Sequence, residues 1–413
     1  MSERFTVLGA GIIGVCTALA LQRDGHAVTI IDRDEPGRGC SFGNAGIIHT
    51  GGCIPMATPG ILKAVPKMLL DPDGALVIRW GYLPRLLPWL LKMLAAARPD
   101  RVDAICRALA PLSLAARNAY MPLLAEAGAT ELLRARGELY VYRTKAAFDA
   151  EAWAMKVRRG FGIPVEDLDA DAIRDMEPVL SHEYRYAHYQ PASAFMASPL
   201  RLVQRLAALF VKKGGTIQRA DVRNLRPGDQ VAAVLDTSAG EVRADHLVIC
   251  AGAFSKPFAA RFGVDVPLES WRGYHIMVPS TGIALNGVVA DGEMHFGVTP
   301  MDDGIRVAGL IELASVDAPP NYARADLFMR LAKRLIPAFP AEPASRWMGH
   351  RPGMPDTLPV LGRALHHRNV YFAFGHGQLG LTFGAVTGQA IADLAAGRKG
   401  AIDLAPYAAE RFH

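Results

Sequence analysis

The most constraining feature of this chain is the run Gly9-Ala10-Gly11-Ile12-Ile13-Gly14, set between RFTVL at 4 to 8, which reads as a short buried strand, and the helical stretch VCTALALQRDG ending at Gly25. HAVTIID follows, so Asp32 closes a second strand-like segment at the distance from the glycines that a βαβ unit requires. In such a unit Gly9 permits the tight turn, Gly11 lets the backbone approach a pyrophosphate, and Gly14 lets helix and strand pack closely. The amides of Ile12 and Ile13 open the helix and add donors and positive dipole for phosphate, while Asp32, with Arg33 beside it, is placed to accept ribose hydroxyls. The chain is therefore expected to be an α/β protein with a Rossmann-like dinucleotide site. The fingerprint does not choose between nicotinamide and flavin.

Composition narrows the classes further. A chain of 413 residues exceeds what one core usually spans, and 51% hydrophobic with 21% charged residues rules out a disordered or fibrous protein. The net charge of +5 comes from 45 basic and 40 acidic residues scattered without long runs, so no nucleic-acid partner is expected. Five cysteines without a CxxC pair fit a reducing cytoplasm better than a secreted disulfide framework. Two uncharged stretches, 5 to 22 and 369 to 392, are studded with glycine and read as buried strand-turn-helix units rather than membrane spans. There is no HExxH or HxxxH, so no metal is expected, and no GxSxG nucleophile elbow.

The expected architecture is a nucleotide domain (1–50, 192–262 and 345–413) interrupted by an α+β substrate or cap domain (51–191 and 263–344) with a mainly antiparallel sheet. Helices are expected over 104 to 127, before Pro178, over 199 to 213 and over 324 to 336. Strands are expected at 137 to 144, 216 to 224, 231 to 237, 242 to 250, 271 to 278, 294 to 299 and 304 to 311, with MDDG as a turn. The Pro-rich segment 51 to 100 carries amphipathic pieces such as RLLPWLLKMLAAA, too short to span a bilayer.

Three further segments favour a flavin. ADHLVICAG (244 to 252) is a strand running into a small-residue turn; SFGNAG (41 to 46) follows the second strand; and GHGQLG (375 to 380) opens a helix whose amides can face negative charge. With RGY at 272 to 274, IRVAG at 305 to 309, GHRPGMPDTLPVLG at 349 to 362 and GHGQLGLT at 375 to 382, the chain resembles the bacterial D-amino-acid dehydrogenases. These lie within the FAD-dependent family that includes D-amino-acid oxidase, glycine oxidase and sarcosine oxidase. The resemblance implies FAD contacts at Ser41, Asn44, Ala45, Gly46, Val222, Ala251, Gly252, Gly377, Gln378, Gly380 and Thr382. No cysteine lies near 349 to 356, where the sarcosine-oxidase branch attaches flavin, so noncovalent FAD is expected.

The resemblance also implies that Arg351 matches the family's carboxylate-binding arginine, which suits the two-pronged geometry of a guanidinium. A second arginine carried by many relatives is absent, because that stretch reads Val298-Thr299-Pro300-Met301. Arg272, Tyr274 and His275 on the strand expected to roof the flavin, with His49 and Gln378 from flanking loops, are the candidate replacements. His275 could accept the amine proton or be a satisfied core histidine, and strand alternation puts Tyr274 and His275 on opposite faces. Arg306 reads as half of a structural salt bridge.

The implied reaction is oxidation of a D-amino acid, or of a cyclic D-imino acid such as D-proline or D-hydroxyproline, with electrons passing to a membrane quinone or another respiratory acceptor. The amphipathic region 60 to 97 offers peripheral contact with the inner face of the membrane, or else helices that cover the substrate pocket. The alternatives are a sarcosine- or glycine-type oxidase using oxygen, and a noncatalytic flavin-binding subunit.

Overall fold

The strand Arg4–Leu8 is sandwiched, parallel to both neighbours, between Ala27–Asp32 and His246–Ile249, which explains why all of it after Arg4 is buried. In the computed structural model, which describes residues 2–59, 74–280 and 282–412, this sheet has six strands. Their order is Thr216–Arg219, Ala27–Asp32, Arg4–Leu8, His246–Ile249, His367–Phe374 and Val360–Ala364, the last antiparallel to its neighbour. Helices Ile12–Arg23 and Gly380–Ala395 pack against each other over it, and their sequences, charged only at Arg23 and Asp393 near their C-terminal ends, are those of core helices. Among the described residues no helix is long and apolar enough to cross a membrane.

Two expected strands prove to be pairs. The segment 242 to 250 breaks at Asp245, which holds Arg4 at 2.7 Å. Gly240–Ala244 pairs with Ala233–Thr237 in a small antiparallel sheet, whereas His246–Ile249 enters the parallel one. Likewise 216 to 224 divides into Thr216–Arg219 and Val222–Pro227, which belong to different sheets. Gly240–Ala244 is mostly exposed and His246–Ile249 mostly buried, but the sequence pattern carries no sign of the change of sheet.

The second large sheet runs Ser345–Gly353, Glu269–Val278, Gly304–Leu313, Phe296–Met301, Val288–Asp291, Glu138–Tyr142, Tyr186–Gln190 and Glu166–Leu168, with Leu76–Ile78 joined to Gly304–Leu313. It is antiparallel except where Val288–Asp291 meets Glu138–Tyr142 and where Leu76–Ile78 joins. Helix Ala323–Leu335 covers it, Phe328 and Leu331 packing with Ile276, Val298 and Val307. Asp169 caps the short helix Ala170–Met176 by accepting the Ala172 N–H at 3.0 Å.

The two cores redraw the expected boundaries. Ser345–Gly353, placed with the nucleotide domain by sequence, is paired with Glu269–Val278 from end to end and belongs to the second sheet. Helix Pro99–Glu126, placed with the cap, sends Leu109, Leu112 and Tyr120 into the cluster that holds Val7 and Ile30. Its Tyr120 hydroxyl donates to the Leu381 carbonyl at 2.6 Å. Of the amphipathic region 60 to 97, residues 60–73 lie outside the described part. Helix Leu83–Ala96 packs Leu86, Trp89 and Met93 against Trp271 and Leu313, with Leu87 and Leu91 outward.

Candidate functional site

A cavity of about 820 Å³ runs from the C-terminal ends of the parallel strands to the face of the antiparallel sheet. It begins at the glycine turn. Gly9 has φ +116°, and a Cβ there would fall 2.4 Å from the Cys250 carbonyl oxygen; one on Gly14 would fall 1.9 Å from the Gly9 carbonyl oxygen. Both glycines are thus demanded by the chain's own packing. Gly11 is not, since a Cβ there would meet only the Ser41 Oγ, at 3.4 Å. That open face of Gly11 is the space a ligand's phosphates need.

Asp32 lines the cavity, its Oδ2 accepting the Ala10 N–H at 2.6 Å and its Oδ1 the Asp34 N–H at 2.9 Å. A carboxylate has about four acceptor sites, so ribose hydroxyls still find partners. Arg33 stacks over the Phe254 ring at 4.5 Å on the same wall. Of the sequence-derived cofactor residues, Gly9, Gly11, Ile12, Ile13, Asp32, Arg33, Ser41, Asn44, Ala45, Val222, Ala251, Gly252, Gly377, Gln378, Gly380 and Thr382 all line the cavity. Gly14 and Gly46 lie behind the wall, Gly46 with φ +81° against the Met196 carbonyl.

The loop at 41 to 46 is held from both sides. Ser41 Oγ accepts the Ile12 N–H at 3.0 Å, and Asn44 Oδ1 accepts the Gly46 N–H at 2.8 Å, closing the turn. From below, Arg306 donates through Nη1 to the Phe42 and Asn44 carbonyls at 3.0 and 2.6 Å. The expected salt bridge of Arg306 is not there: among the described residues no acid pairs with it. Burial brings its pKa down to about 10, so it remains a cation at neutral pH, satisfied by carbonyl oxygens.

Arg351 lines the cavity from the edge strand of the second sheet. Gly309 and Leu310, the latter at φ +48°, form a bulge opposite Arg272 to Tyr274. The bulge turns two successive carbonyls toward the guanidinium, which donates to Leu310 at 3.0 Å and to Gly309 at 3.3 Å. Among the described residues no carboxylate pairs with Arg351, so its charge is held in place without being neutralised.

The other candidates on the neighbouring strand do not join it. Arg272 and Tyr274 face away from the cavity: Arg272 Nη1 lies 3.2 Å from Glu312 Oε2, and the Tyr274 hydroxyl donates to that same oxygen. They form a buried polar knot in the sheet. His275 is on the opposite face, as alternation requires, but Gly43 and Trp347 cover it: Nδ1 is 3.1 Å from the Gly43 carbonyl oxygen and the ring stacks on Trp347 at 5.1 Å. Burial, with Arg306 nearby, lowers its pKa to about 3, so it is a neutral core histidine.

His49 and Gln378 do line the cavity. His49 Nδ1 lies 2.6 Å from Oε2 of Glu138, a buried carboxylate on the strand Glu138–Tyr142. Tyr140, Tyr142 and Arg158 extend that wall, Arg158 donating to the Gly51 carbonyl at 3.0 Å. Sequence reading missed these four, although alternation in GELYVYRT does put 138, 140 and 142 on one face. It also missed Cys40, which lines the cavity close enough to Arg351 to feel its charge. Burial raises the Cys40 thiol, keeping it protonated.

Comparison with known proteins settles the family. Residues 4–394 match the model of the FAD dependent oxidoreductase family. The chain belongs to that family. It is 38% identical to a D-amino-acid oxidase of Bradyrhizobium diazoefficiens, over 98% of each chain. It is 32% identical to D-amino acid dehydrogenase 2 of Mesorhizobium japonicum, over 97% of this chain and 98% of that one. Its fold is similar to the crystal structure of glycine oxidase from Geobacillus kaustophilus, with a TM-score of 0.78 at 24% identity over 98% of each chain. L-proline dehydrogenase from P. horikoshii gives the same TM-score at 17% identity, over 100% of this chain and 98% of that one. The protein is an FAD-dependent oxidoreductase, and the open Gly11 turn, Asp32 and the loop at 41 to 46 form a cradle that fits the cofactor.

Proposed function

We propose that this FAD-dependent oxidoreductase oxidises the amine of a D-amino acid, or of a cyclic D-imino acid such as D-proline or D-hydroxyproline, to the imine. The observation that carries this reading is Arg351: a cation fixed by two backbone carbonyls at the wall of the flavin cavity, without an acidic partner among the described residues. Its remaining donors suit a substrate carboxylate. Bound FAD supplies a hydride acceptor. The chain's share is to clamp the carboxylate with Arg351, offer Gln378 and the amides of the turn at 377 to 380 to polar groups, and limit access of water. The names of the relatives support the D configuration. FAD is held noncovalently in this reading, because no cysteine lies near 349 to 356 in the sequence.

For electrons we propose a membrane quinone reached by peripheral contact with the inner face of the membrane. Trp80, Leu87 and Leu91 are 65%, 50% and 58% exposed, Arg85 and Lys92 stand beside them, and residues 75 to 98 contain no acid. That combination suits an anionic lipid surface. The test is an anaerobic screen of D-, L- and N-methyl amino acids and both hydroxyproline epimers, followed by reoxidation with a soluble quinone or with oxygen. Bleaching by D-substrates and quinone-driven recovery are expected. A flavin reduced only by L- or N-methyl substrates, or by none, would reject the reading.

A further inference from the structure

We infer that His49 is the base that takes the proton from the substrate's ammonium group, and that Glu138 positions it in the tautomer able to do so. This rests on the amine oxidation proposed above and names the group that makes the amine reactive. An ammonium nitrogen has no lone pair with which to form a C=N bond while hydride leaves Cα, so one proton must go first.

His49 has the geometry for it. Its Nδ1 is 2.6 Å from Glu138 Oε2. Burial alone would raise the Glu138 carboxyl, but the charge and hydrogen bond of His49 and a hydrogen bond from Tyr140 more than offset it, leaving the pKa below the ordinary value. A carboxylate oxygen 2.6 Å from Nδ1 acts as acceptor, so in the neutral ring Nδ1 carries the hydrogen and the lone pair sits on Nε2. Among the described residues Nε2 has no hydrogen-bond partner, and the ring borders the cavity. The backbone is pinned as well: the His49 N–H donates to Thr382 Oγ1 at 3.2 Å, and that hydroxyl donates to the Ile47 carbonyl at 3.2 Å. His49 thereby leans on the first turn of helix Gly380–Ala395, whose residues line the same cavity.

The groups facing the imidazole come from three elements. Glu138 stabilises an imidazolium directly, and the Tyr140 ring lies 6.2 Å from the His49 ring on the same strand. Arg158, on helix Ala152–Gly160, stands where its charge acts on Glu138 and opposes a second cation. Thr382 and Leu379 close the other side without charge. Two other titratable groups of the cavity are committed elsewhere: Asp291 accepts from the Tyr184 hydroxyl at 2.6 Å and from the Glu293 and Met294 amides. His376 holds Thr387 at 3.0 Å with its pKa lowered by burial to about 3.

The step balances as follows. The ammonium N–H bond breaks, its proton joins His49 Nε2, and the pair stays on nitrogen as a lone pair. As Cα gives up its hydrogen with both electrons to the oxidant, that lone pair becomes the second bond of an iminium. Water then adds at carbon, ammonia leaves or, for a cyclic substrate, the ring opens to an amino-keto acid, and His49 returns its proton to solvent.

Anaerobic stopped-flow reduction from pH 6 to 10, with a carboxylate lacking the amine as a binding probe read from the flavin band, tests this. In the wild-type holoenzyme the reduction rate should rise with pH along a limb set by the enzyme rather than by free substrate ammonium. In His49→Asn that limb should move up toward the titration of free substrate ammonium, with a loss at pH 7 of about a hundredfold or more, as for removal of a general base, and substantial recovery at pH 10. Binding of the amine-free carboxylate should be unchanged. In ¹⁵N-histidine spectra of the substrate-free holoenzyme, His49 should carry its proton on Nδ1, and Glu138→Gln should remove that preference. A His49→Asn profile that keeps the wild-type limb, or falls equally at every pH, overturns the inference while leaving amine oxidation standing. A wild-type enzyme reduced by no amine overturns both.

Discussion

The Arg351 guanidinium lies flat over Gly273, so close that a Cβ on residue 273 would come within 2.2 Å of its Cζ. The sheet thus reserves one side-chain volume for the arginine. Gly273→Ala should displace the guanidinium from the Gly309 and Leu310 carbonyls and raise KM for the amino acid tenfold or more by order of magnitude, with FAD content near wild type. Steady-state kinetics per bound flavin would show it. An alanine variant with an unchanged KM would mean that Arg351 does not hold the substrate.

Gly11 and Gly14 should fail in different ways. Gly14→Val drives a side chain into the Gly9 carbonyl and should destabilise the fold whether or not FAD is present. Gly11→Val meets only Ser41, so the protein should fold and emerge colourless. Circular dichroism melts alongside the flavin absorbance of purified protein separate the two.

Arg306→Met should loosen the loop at 41 to 46 by removing both carbonyl contacts. Hydrogen bonds to a charged group contribute roughly 1.5 to 3 kcal/mol, so FAD affinity should drop about tenfold to a hundredfold. Titration of apoprotein with FAD measures this, and an unchanged Kd would show that the loop keeps its shape without the cation.

His275 and His376 are both held neutral, with pKa values near 3 set mainly by burial. The unfolded chain binds protons at these sites near the ordinary histidine value, so between that value and pH 3 the unfolded state carries more protons and stability rises with pH. Stability should be fullest above about pH 6.5 and be lost as pH falls. Each group contributes up to about 1.4 kcal/mol per pH unit, or about 2 kcal/mol by pH 5. Thermal midpoints at pH 7 and 5, with FAD held constant, should diverge less in His275→Gln than in wild type.

The nucleotide half of the site is legible because its determinants are local. Gly9 to Gly14, Asp32 and the loop at 41 to 46 carry their geometry within short stretches of sequence, and the structure gathers them along one cavity. The substrate half is not, because it is made by pairing across the chain. Glu138 meets His49 over 89 residues of separation, and Arg351 meets the Gly309 bulge across two strands. Alternation separated Tyr274 from His275 correctly, but it could not say that Trp347 would cover one and Glu312 bind the other. The break at Asp245 was hidden for a similar reason, since its two halves find their partners in different sheets.

The account turns on Arg351 binding the substrate carboxylate beside the flavin, and the rate of anaerobic flavin reduction in Arg351→Ala and Arg351→Lys tests it most directly. Removing one partner of a buried charge pair costs roughly 3 to 5 kcal/mol, which is about a hundredfold to several thousandfold in kcat/KM. Lysine should recover only part of that, for want of a two-pronged donor, and both variants should bind FAD normally. Near-normal reduction of Arg351→Ala by its best D-amino acid, with only a lowered melting temperature, would contradict the account and leave Arg351 as a brace for the Leu310 bulge.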